Sequence, residues 1–403
     1  MYDTICPCGL AALCKITEID AAERRTAMDK YLGENIPKLG FGLMRLPMKD
    51  GAIDLEQTKE MVDLFMSEGF CYFDTAYGYN DGESEKAAKA ALVDRYPREK
   101  FLLATKLPAW AGAKTEEEAK QMFYTSLERT GAGYFDFYLL HNLGEQRTHF
   151  FDDYEIWDFL KERKKEGLIR HLGFSMHDKA EVLDQILTEH PEMEFVQLQI
   201  NYADWEDPHV ESRKCYEVAR KHGKPVIIME PVKGGTLADP PQDVKDVLKA
   251  QDPDASPSSW AIRFAASLEG VITVLSGMSN MEQMEDNVSF MKDFHPLDEQ
   301  EWAAIERARE IFNSYPKVPC TACGYCMKGC PKHIAIYGTF QAVNVYNMYK
   351  DLGGAKHRYE WNTDGHGWGR ASECIGCGKC EKVCPQHIAI REELKKAAEL
   401  LEG

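Results

Sequence analysis

Two cysteine runs with the same spacing lie near the carboxyl end of the chain, and they are the residues best suited to chemistry. Each run reads C-x2-C-x2-C-x3-C-P, a spacing that offers four thiolates to a [4Fe–4S] cluster. The eight candidate metal ligands are Cys320, Cys323, Cys326, Cys330, Cys374, Cys377, Cys380 and Cys384. Because the run occurs twice, we predict two [4Fe–4S] clusters and one-electron transfer. Two structural zinc sites are the alternative.

The last cysteine of such a run normally ligates the cluster that the other run holds. We therefore predict crossed ligation, in which Cys384 joins the first three cysteines of the first run and Cys330 joins the first three of the second. Crossed ligation ties the two runs together, so loss of either cluster is expected to unfold the segment that carries both.

Composition narrows the class of protein. The chain has 403 residues, 44% of them hydrophobic and 28% charged, and a formal net charge of −18. This charge argues against a nucleic-acid partner, because phosphate contacts need cations. No apolar run approaches the ~18 residues of a membrane span. The 13 cysteines fit a reducing, oxygen-poor compartment better than a disulfide framework, so we expect a cytoplasmic protein that binds neither nucleic acid nor membrane.

The middle of the chain alternates short β-branched or aromatic runs with longer amphipathic stretches, as strands and helices do. The strand candidates are 39–46, 70–75, 101–107, 135–141, 169–175, 195–201, 225–230 and 271–275. Eight such repeats predict an α/β fold, a closed (β/α)8 or TIM barrel. A doubly wound open sheet is less favoured, because no G-x-G-x-x-G follows the first strand.

A helix break divides the chain. The sequence Asn-Ser-Tyr-Pro at 313–316 follows a helix predicted over 298–314, and proline ends helices. We predict a barrel domain over 28–316 and a small α-rich domain over 317–403. Within the latter, we expect one helix around 337–349, followed by a loop rich in Gly, Trp and His. Residues 1–27 form an N-terminal extension, or are translated leader sequence ahead of a true start at Met28.

Four polar residues lie at or just beyond the ends of the second, third and fourth predicted strands: Asp74, Tyr79, Lys106 and His141. The carboxyl ends of barrel strands carry the chemistry of this fold. A tyrosine phenol with a pKa near 10 becomes a better acid beside an ammonium, which an aspartate in turn keeps charged. A histidine is suited to orient a carbonyl oxygen. Singly, Asp74 and Lys106 read equally well as a structural ion pair, but the four together predict proton donation to a carbonyl.

These residues and their order resemble the aldo-keto reductases. The match consists of Asp-Thr-Ala-x-x-Tyr at 74–79, Thr-Lys at 105–106, Leu-Leu-His at 139–141 and Gly-Phe-Ser at 173–175. It covers about 36–290 of the chain. With the cysteine runs, the whole resembles the branch of that family that carries a C-terminal, ferredoxin-like 4Fe–4S dicluster domain. The resemblance implies Tyr79 as the proton donor, with Lys106 and Asp74 tuning it and His141 orienting the carbonyl.

The same resemblance implies a nicotinamide that lies across the barrel rim and supplies hydride. Ser175 and Gln199 match the residues that hold its carboxamide, and Arg45 stands where a pyrophosphate contact is expected. Asn287 belongs to a further cofactor-binding motif.

Three departures from the family pattern concern this cofactor. Met176 and Met229 stand where the family often has an asparagine and a tyrosine. The stretch 276–287 has three carboxylates and no basic residue, whereas NADP-binding members place cations there for the 2′-phosphate. These departures argue against NADP(H) and leave NAD(H) or a flavin open.

We expect an oxidoreductase that reduces a carbonyl, or oxidises an alcohol, on a small molecule and exchanges electrons through the two clusters. A ferredoxin or another electron carrier is the expected protein partner. The alternative is a non-catalytic electron-transfer or redox-sensing protein that uses the barrel as a scaffold. The complete set of Asp74, Tyr79, Lys106 and His141 argues against that alternative.

Overall fold

The computed structural model describes residues 32–33, 36–207 and 210–403. The predicted extension over residues 1–27 lies outside these ranges. Within them, no helix is both long enough and apolar enough to cross a membrane.

Eight parallel strands form the centre of the fold. They are β1 Leu39–Gly42, β4 Tyr72–Asp74, β5 Leu102–Leu107, β6 Phe135–Leu143, β7 Ile169–Met176, β8 Phe195–Gln199, β9 Val226–Met229 and β10 Val271–Ser276. Hydrogen bonds join them in the order β1-β10-β9-β8-β7-β6-β5-β4, and β4 pairs with β1 to close the barrel. The predicted barrel is therefore confirmed. The first strand is shorter than predicted, because Leu43–Arg45 turns as a 3-10 helix.

A short antiparallel pair, β2 (Met48–Lys49) and β3 (Ala52–Ile53), follows the first strand. Helices then alternate with the remaining strands. They are α1 Leu55–Ser67, α2 Glu83–Ala88, α3 Glu116–Thr130, α4 Thr148–Asp153, α5 Ile156–Lys165, α6 Ala180–Glu189, α7 Ser212–Lys221, α8 Gln242–Gln251, α9 Pro257–Ala266, α10 Met281–Met291 and α11 Glu299–Ser314.

The barrel strands are apolar on both sides because one side fills the barrel and the other packs on helices. Tyr72 belongs to a cluster with Phe137 and Phe195, which come from other strands. The next residue, Phe73, belongs instead to the larger cluster that includes Phe65 of α1. Alternation along the strand thus divides its side chains between two cores.

A separate apolar core lies in the C-terminal part of the chain. The predicted boundary at 316–317 falls between Phe312, which packs in the barrel core, and Val318, which packs in this second core. The helices of this part are α12 Tyr325–Lys328, α13 Ile336–Tyr349, α14 Leu352–Thr363, α15 Lys379–Lys382 and α16 Ile390–Leu401.

The loop predicted after α13 is only partly correct, because α14 occupies the first half of this segment. Asp351 caps the helix by accepting a hydrogen bond from the Gly354 amide, which offsets the cost of two glycines in the first turn. Ala355 and Tyr359 are buried in the second core. Tertiary packing therefore makes a helix of a segment whose composition indicates a loop.

Gly173 of β7 provides a test of barrel packing. A Cβ at this position would lie 2.4 Å from the Phe195 carbonyl oxygen of the neighbouring strand β8, and backbone in a closed barrel has no room to yield. We expect Gly173→Ala to lower the free energy of unfolding by about 2 kcal/mol or more, as overpacked core positions do. Gly78→Ala is the matched control, since nothing lies within 4 Å of its Cβ position. Denaturation of both variants measures the difference, and equal stability would contradict the packing.

Candidate active site and cluster sites

Asp74, Lys106 and His141 lie on the neighbouring strands β4, β5 and β6, and the barrel brings them together with Tyr79. Lys106 Nζ donates to Asp74 Oδ1 at 2.5 Å and to the Thr75 carbonyl at 2.8 Å. The ammonium lies 4.9 Å from the centre of the Tyr79 ring. The Tyr79 and His141 rings meet edge to face, with centroids 5.8 Å apart. All four predicted catalytic residues therefore form one group.

Burial dominates the electrostatics of this group. It raises the pKa of Tyr79 well above the ordinary tyrosine value, and the negative charge of Asp74 adds to that effect. The Lys106 ammonium, expected to tune the phenol, lies over the Tyr79 ring and pairs with Asp74. Burial also lowers the pKa of His141 far below its usual range, and Lys106 lowers it further. At neutral pH, Tyr79 is thus a phenol and His141 a neutral imidazole.

The Asp74–Lys106 pair is almost completely buried. Burial raises the pKa of Asp74 and lowers that of Lys106, and the charge of each partner opposes the shift of the other. Among the described residues, Asp74 Oδ2 and His141 Nδ1 find no hydrogen-bond partner. Buried polar atoms of this kind are usually satisfied, and exceptions are common where a ligand binds.

A cavity of about 300 Å³ opens beside these residues. Asp74, Tyr79 and His141 line one end, and residues of the β10–α10 segment, including Ser276 and Asn287, line the other. The cavity is closed by residues of the C-terminal domain, namely Cys323 and Tyr325. One cavity therefore connects the candidate proton donor with a candidate cluster ligand.

The predicted nicotinamide contacts are only partly available. Ser175 and Asn287 line the cavity, with Asn287 donating to Ser276 Oγ at 2.6 Å. Arg45 lines it too, but its guanidinium donates to the Thr321 carbonyl at 3.0 Å and lies 3.6 Å from Glu230.

Gln199, expected to hold a carboxamide, lies away from the cavity wall. Its amide exchanges two hydrogen bonds with Gln386 of the C-terminal domain, at 2.8 and 3.2 Å. It also donates to Asp204 at 3.0 Å and accepts from His177 at 3.2 Å when the imidazole is protonated at Nδ1. These bonds use both ends of the amide, so Gln199 has no free group for a nicotinamide.

Tyr325 is a site residue that sequence reasoning missed. It lies between the predicted ligands Cys323 and Cys326, and its hydroxyl comes to 3.5 Å from His141 Nε2. Its ring packs edge to face on Trp110, with centroids 5.9 Å apart. In the sequence, a tyrosine inside a cysteine run indicates only local packing. The fold is what brings Tyr325 to the barrel.

The C-terminal domain docks on the rim of the barrel through several polar contacts. Arg147 donates to the Val383 carbonyl at 3.1 Å, next to Cys384, and its guanidinium lies over the Trp110 ring. Lys328 of α12 pairs with Asp81 at 2.8 Å. These contacts hold the first cysteine run against the candidate active site.

The eight cysteines form two sets. Cys384 acts electrostatically on Cys320, Cys323 and Cys326, so these four lie near one another beside the barrel. We call them the proximal set. Cys330 lines a small cavity with Cys374, Cys377 and Cys380, and we call these four the distal set. This is the grouping that crossed ligation predicts.

The donor set fits an iron–sulfur cluster. Four cysteines line the distal cavity, and the spacing of the two runs is that of [4Fe–4S] proteins. None of the described cysteines forms a disulfide.

Comparison with known proteins agrees with this architecture. Residues 38–310 match the profile of the Aldo/keto reductase family. The chain belongs to this family. It is therefore an oxidoreductase, and residues 319–389 match a 4Fe-4S dicluster domain.

Curated relatives include an aldo-keto reductase from Mycolicibacterium vanbaalenii, 27% identical over 67% of this chain and 88% of that protein. One from Mycolicibacterium smegmatis is 30% identical over 36% of this chain, and the match spans only 47% of that relative, about half its length.

Solved structures share the fold. The holo form of aldo-keto reductase AKR11C1 from Bacillus halodurans aligns with a TM-score of 0.55 at 24% identity, over 68% of this chain and 93% of that one. An aldo-keto reductase from Klebsiella pneumoniae, solved in complex with NADPH, aligns with a TM-score of 0.54 at 20% identity, over 71% and 94%.

Single-ligand variants test crossed ligation. Cys323→Ser and Cys384→Ser both alter the proximal set, although they lie in different runs, and Cys330→Ser and Cys377→Ser both alter the distal set. After anaerobic reconstitution and reduction, we expect each pair to lose the EPR signal of its own set and to weaken the signal of the other set, because loss of one cluster unfolds the segment that carries both. Iron analysis measures how much of the second cluster is lost, and a variant that keeps it fully intact, with unchanged spectrum and stability, would contradict crossed ligation. A spectrum shared by Cys384→Ser and Cys377→Ser would mean that each run holds its own cluster.

Proposed function

We propose that this protein reduces a carbonyl group on a small molecule, or oxidises the corresponding alcohol, and exchanges the electrons through two [4Fe–4S] clusters. The observation that carries the proposal is the shared cavity, whose walls include Tyr79 and His141 of the barrel and Cys323 of the proximal set. A group bound there touches the proton donor and lies next to a cluster ligand. Such proximity is what coupling of proton and electron transfer requires.

Tyr79 supplies the proton in this proposal. Its raised pKa keeps the phenol protonated at neutral pH, and neutral His141 is free to hydrogen-bond the carbonyl oxygen. The Asp74–Lys106 pair provides an ammonium near the phenolate that forms when the proton leaves. Asp74, Tyr79, Lys106 and His141 are therefore the proposed catalytic residues.

Conversion of a carbonyl to an alcohol takes two electrons and two protons. Two bound [4Fe–4S] clusters would supply these electrons one at a time, and a two-electron carrier in the cavity would pass them, with one proton, to the carbonyl carbon as hydride. Tyr79 gives the other proton to the oxygen. The two electrons come from a protein that carries one electron at a time, which is the proposed partner.

The charges of the cavity bear on the choice of cofactor. The neighbour from Klebsiella pneumoniae was solved with NADPH. In this chain the carboxylates Glu230 and Asp286 line the cavity, and the one Arg or Lys among its described lining residues, Arg45, is already paired with Glu230. The 2′-phosphate of NADP(H) would therefore lie near carboxylates, and the described lining residues offer no free cation to pair with it. If a nicotinamide binds, these charges favour NAD(H). Its proposed contacts are then Ser175 and Asn287, while Arg45 and Gln199 are engaged by other protein groups. A flavin has no observation in its favour.

Three further proposals rest on the sequence. The barrel domain comprises residues 28–316 and the cluster domain residues 317–403. The protein works in the cytoplasm, where thiolate clusters persist. Membership of an oxidoreductase family supports an enzyme over a scaffold for redox sensing.

Tyr79→Phe tests the proposed proton donor. The variant removes the hydroxyl but keeps the ring, so we expect loss of carbonyl reduction by about 100-fold or more, typical of a lost general acid, with iron content and cluster reduction unchanged. Product alcohol is measured anaerobically with a chemical reductant. Tyr77→Phe is the control, because Tyr77 does not line the cavity. Carbonyl reduction by Tyr79→Phe at the wild-type rate would exclude Tyr79 as the proton donor.

The pH dependence tests the burial of Tyr79. A proton donor is active below its pKa, so a raised pKa keeps the alkaline fall in kcat/KM above the ordinary tyrosine value of about 10. Tyr325→Ala admits water to the cavity and should move that fall to lower pH. Tyr325→Phe keeps the apolar cover and should stay close to wild type. The same alkaline limb in all three proteins would contradict the assignment.

A further inference from the structure

The two cysteine sets differ in exposure. The proximal set faces the barrel, where Tyr325 and Arg147 cover it. The distal set lies at the surface, and its Cys377 is exposed. The two sets are neighbours, because α12, which carries Cys326 of the proximal set, packs on α15, which carries Cys380 of the distal set. An electron that enters at the distal set can therefore pass to the proximal set, which lies next to the barrel.

A patch that we call the distal face surrounds the distal set. It consists of Lys332, Ile375, Cys377, Lys379 and Arg391, all exposed and all lining the distal cavity. Ile375 leaves 62% of its surface exposed, the highest value among the large exposed hydrophobic side chains of the described residues. An exposed apolar side chain surrounded by lysine and arginine side chains is typical of a protein-binding site.

Apart from the cluster that its cysteines would hold, this face has a side-chain charge opposite to that of the whole chain. Its lining includes two lysines and one arginine but no carboxylate, although the chain carries a net charge of −18. Arg391 pairs with Glu381 at 2.8 Å. Among the described residues, Lys332 and Lys379 form no ion pair, so both ammonium groups are available to a partner.

We propose that the distal face binds a small acidic one-electron carrier protein. The inference rests on the proposed function and names the partner and its place. Each encounter passes one electron: the carrier is oxidised, the distal site is reduced, and no bond is formed or broken. Two encounters therefore supply the two electrons of one carbonyl reduction.

Electrostatics gives the face its selectivity. An acidic carrier is repelled by most of this chain and attracted where Lys332 and Lys379 project, which raises the rate of encounter in the productive orientation. Ile375 then provides an apolar contact next to the exposed Cys377. The attraction is screened by salt, so the rate of electron transfer should fall as ionic strength rises.

Charge reversal tests the face directly. Stopped-flow absorbance follows reduction of the clusters of the holoprotein by a reduced plant-type [2Fe–2S] ferredoxin, used as the acidic probe. We expect Lys332→Glu/Lys379→Glu to slow this reduction about tenfold or more at low salt, a factor in the range of electrostatic steering. Reduction by the methyl viologen radical, a small cation, should not be slowed. Lys350→Glu is the control, because Lys350 follows the far end of α13, about 20 Å from the distal cavity by helix rise.

Three outcomes would overturn the proposal. In the first, ferredoxin reduces the double variant as fast as wild type. In the second, reduction by methyl viologen slows equally, which means that the clusters themselves have changed. In the third, the double variant dissociates a wild-type dimer on size-exclusion chromatography, which assigns the face to a second copy of the chain. The readout is cluster reduction, so it stands even if no carbonyl substrate is turned over.

Discussion

The packing of the C-terminal domain on the rim of the barrel is the constraint on which the rest of the site depends. Arg147 holds the loop around Val383, and Arg45 holds the loop around Thr321. Between them, Tyr325 reaches the cavity and approaches His141. This cover buries Tyr79 and raises the pKa of its phenol, and it brings Cys323 to the same cavity. Without the docked domain, the barrel would have an open rim and no neighbouring thiolates.

The sequence predicts local features well and contacts between domains poorly. The eight barrel strands follow from apolar runs, because a parallel barrel strand is buried on both faces. Asp74, Lys106 and His141 are predictable as neighbours because strand ends converge in this fold. Gln386 and Tyr325 are not, since their partners Gln199 and His141 lie about 190 residues away in sequence and no spacing rule links them.

Arg45, which lines the cavity, is held by other protein groups. Glu230 has a positive φ of 56°, a backbone conformation that non-glycine residues rarely adopt. Its carboxylate accepts from the Gly234 amide at 2.9 Å and pairs with Arg45. The arginine that the family resemblance assigns to pyrophosphate is thereby directed to a carboxylate and to the cluster domain. The hydrogen bonds of Arg45 to the Thr321 carbonyl and of Gln199 to Gln386 also tie the two domains together.

The most direct test of the coupling between the two halves is a single-turnover experiment in which the reduced holoprotein is the only source of electrons. Fully reduced holoprotein is mixed anaerobically with an excess of an aldehyde, and cluster absorbance is followed by stopped flow. The account predicts re-oxidation of both clusters with formation of one alcohol per protein, and clusters that stay reduced in Tyr79→Phe. Wild-type clusters that stay reduced with a broad panel of aldehydes and ketones, or that re-oxidise equally fast in Tyr79→Phe, would contradict it.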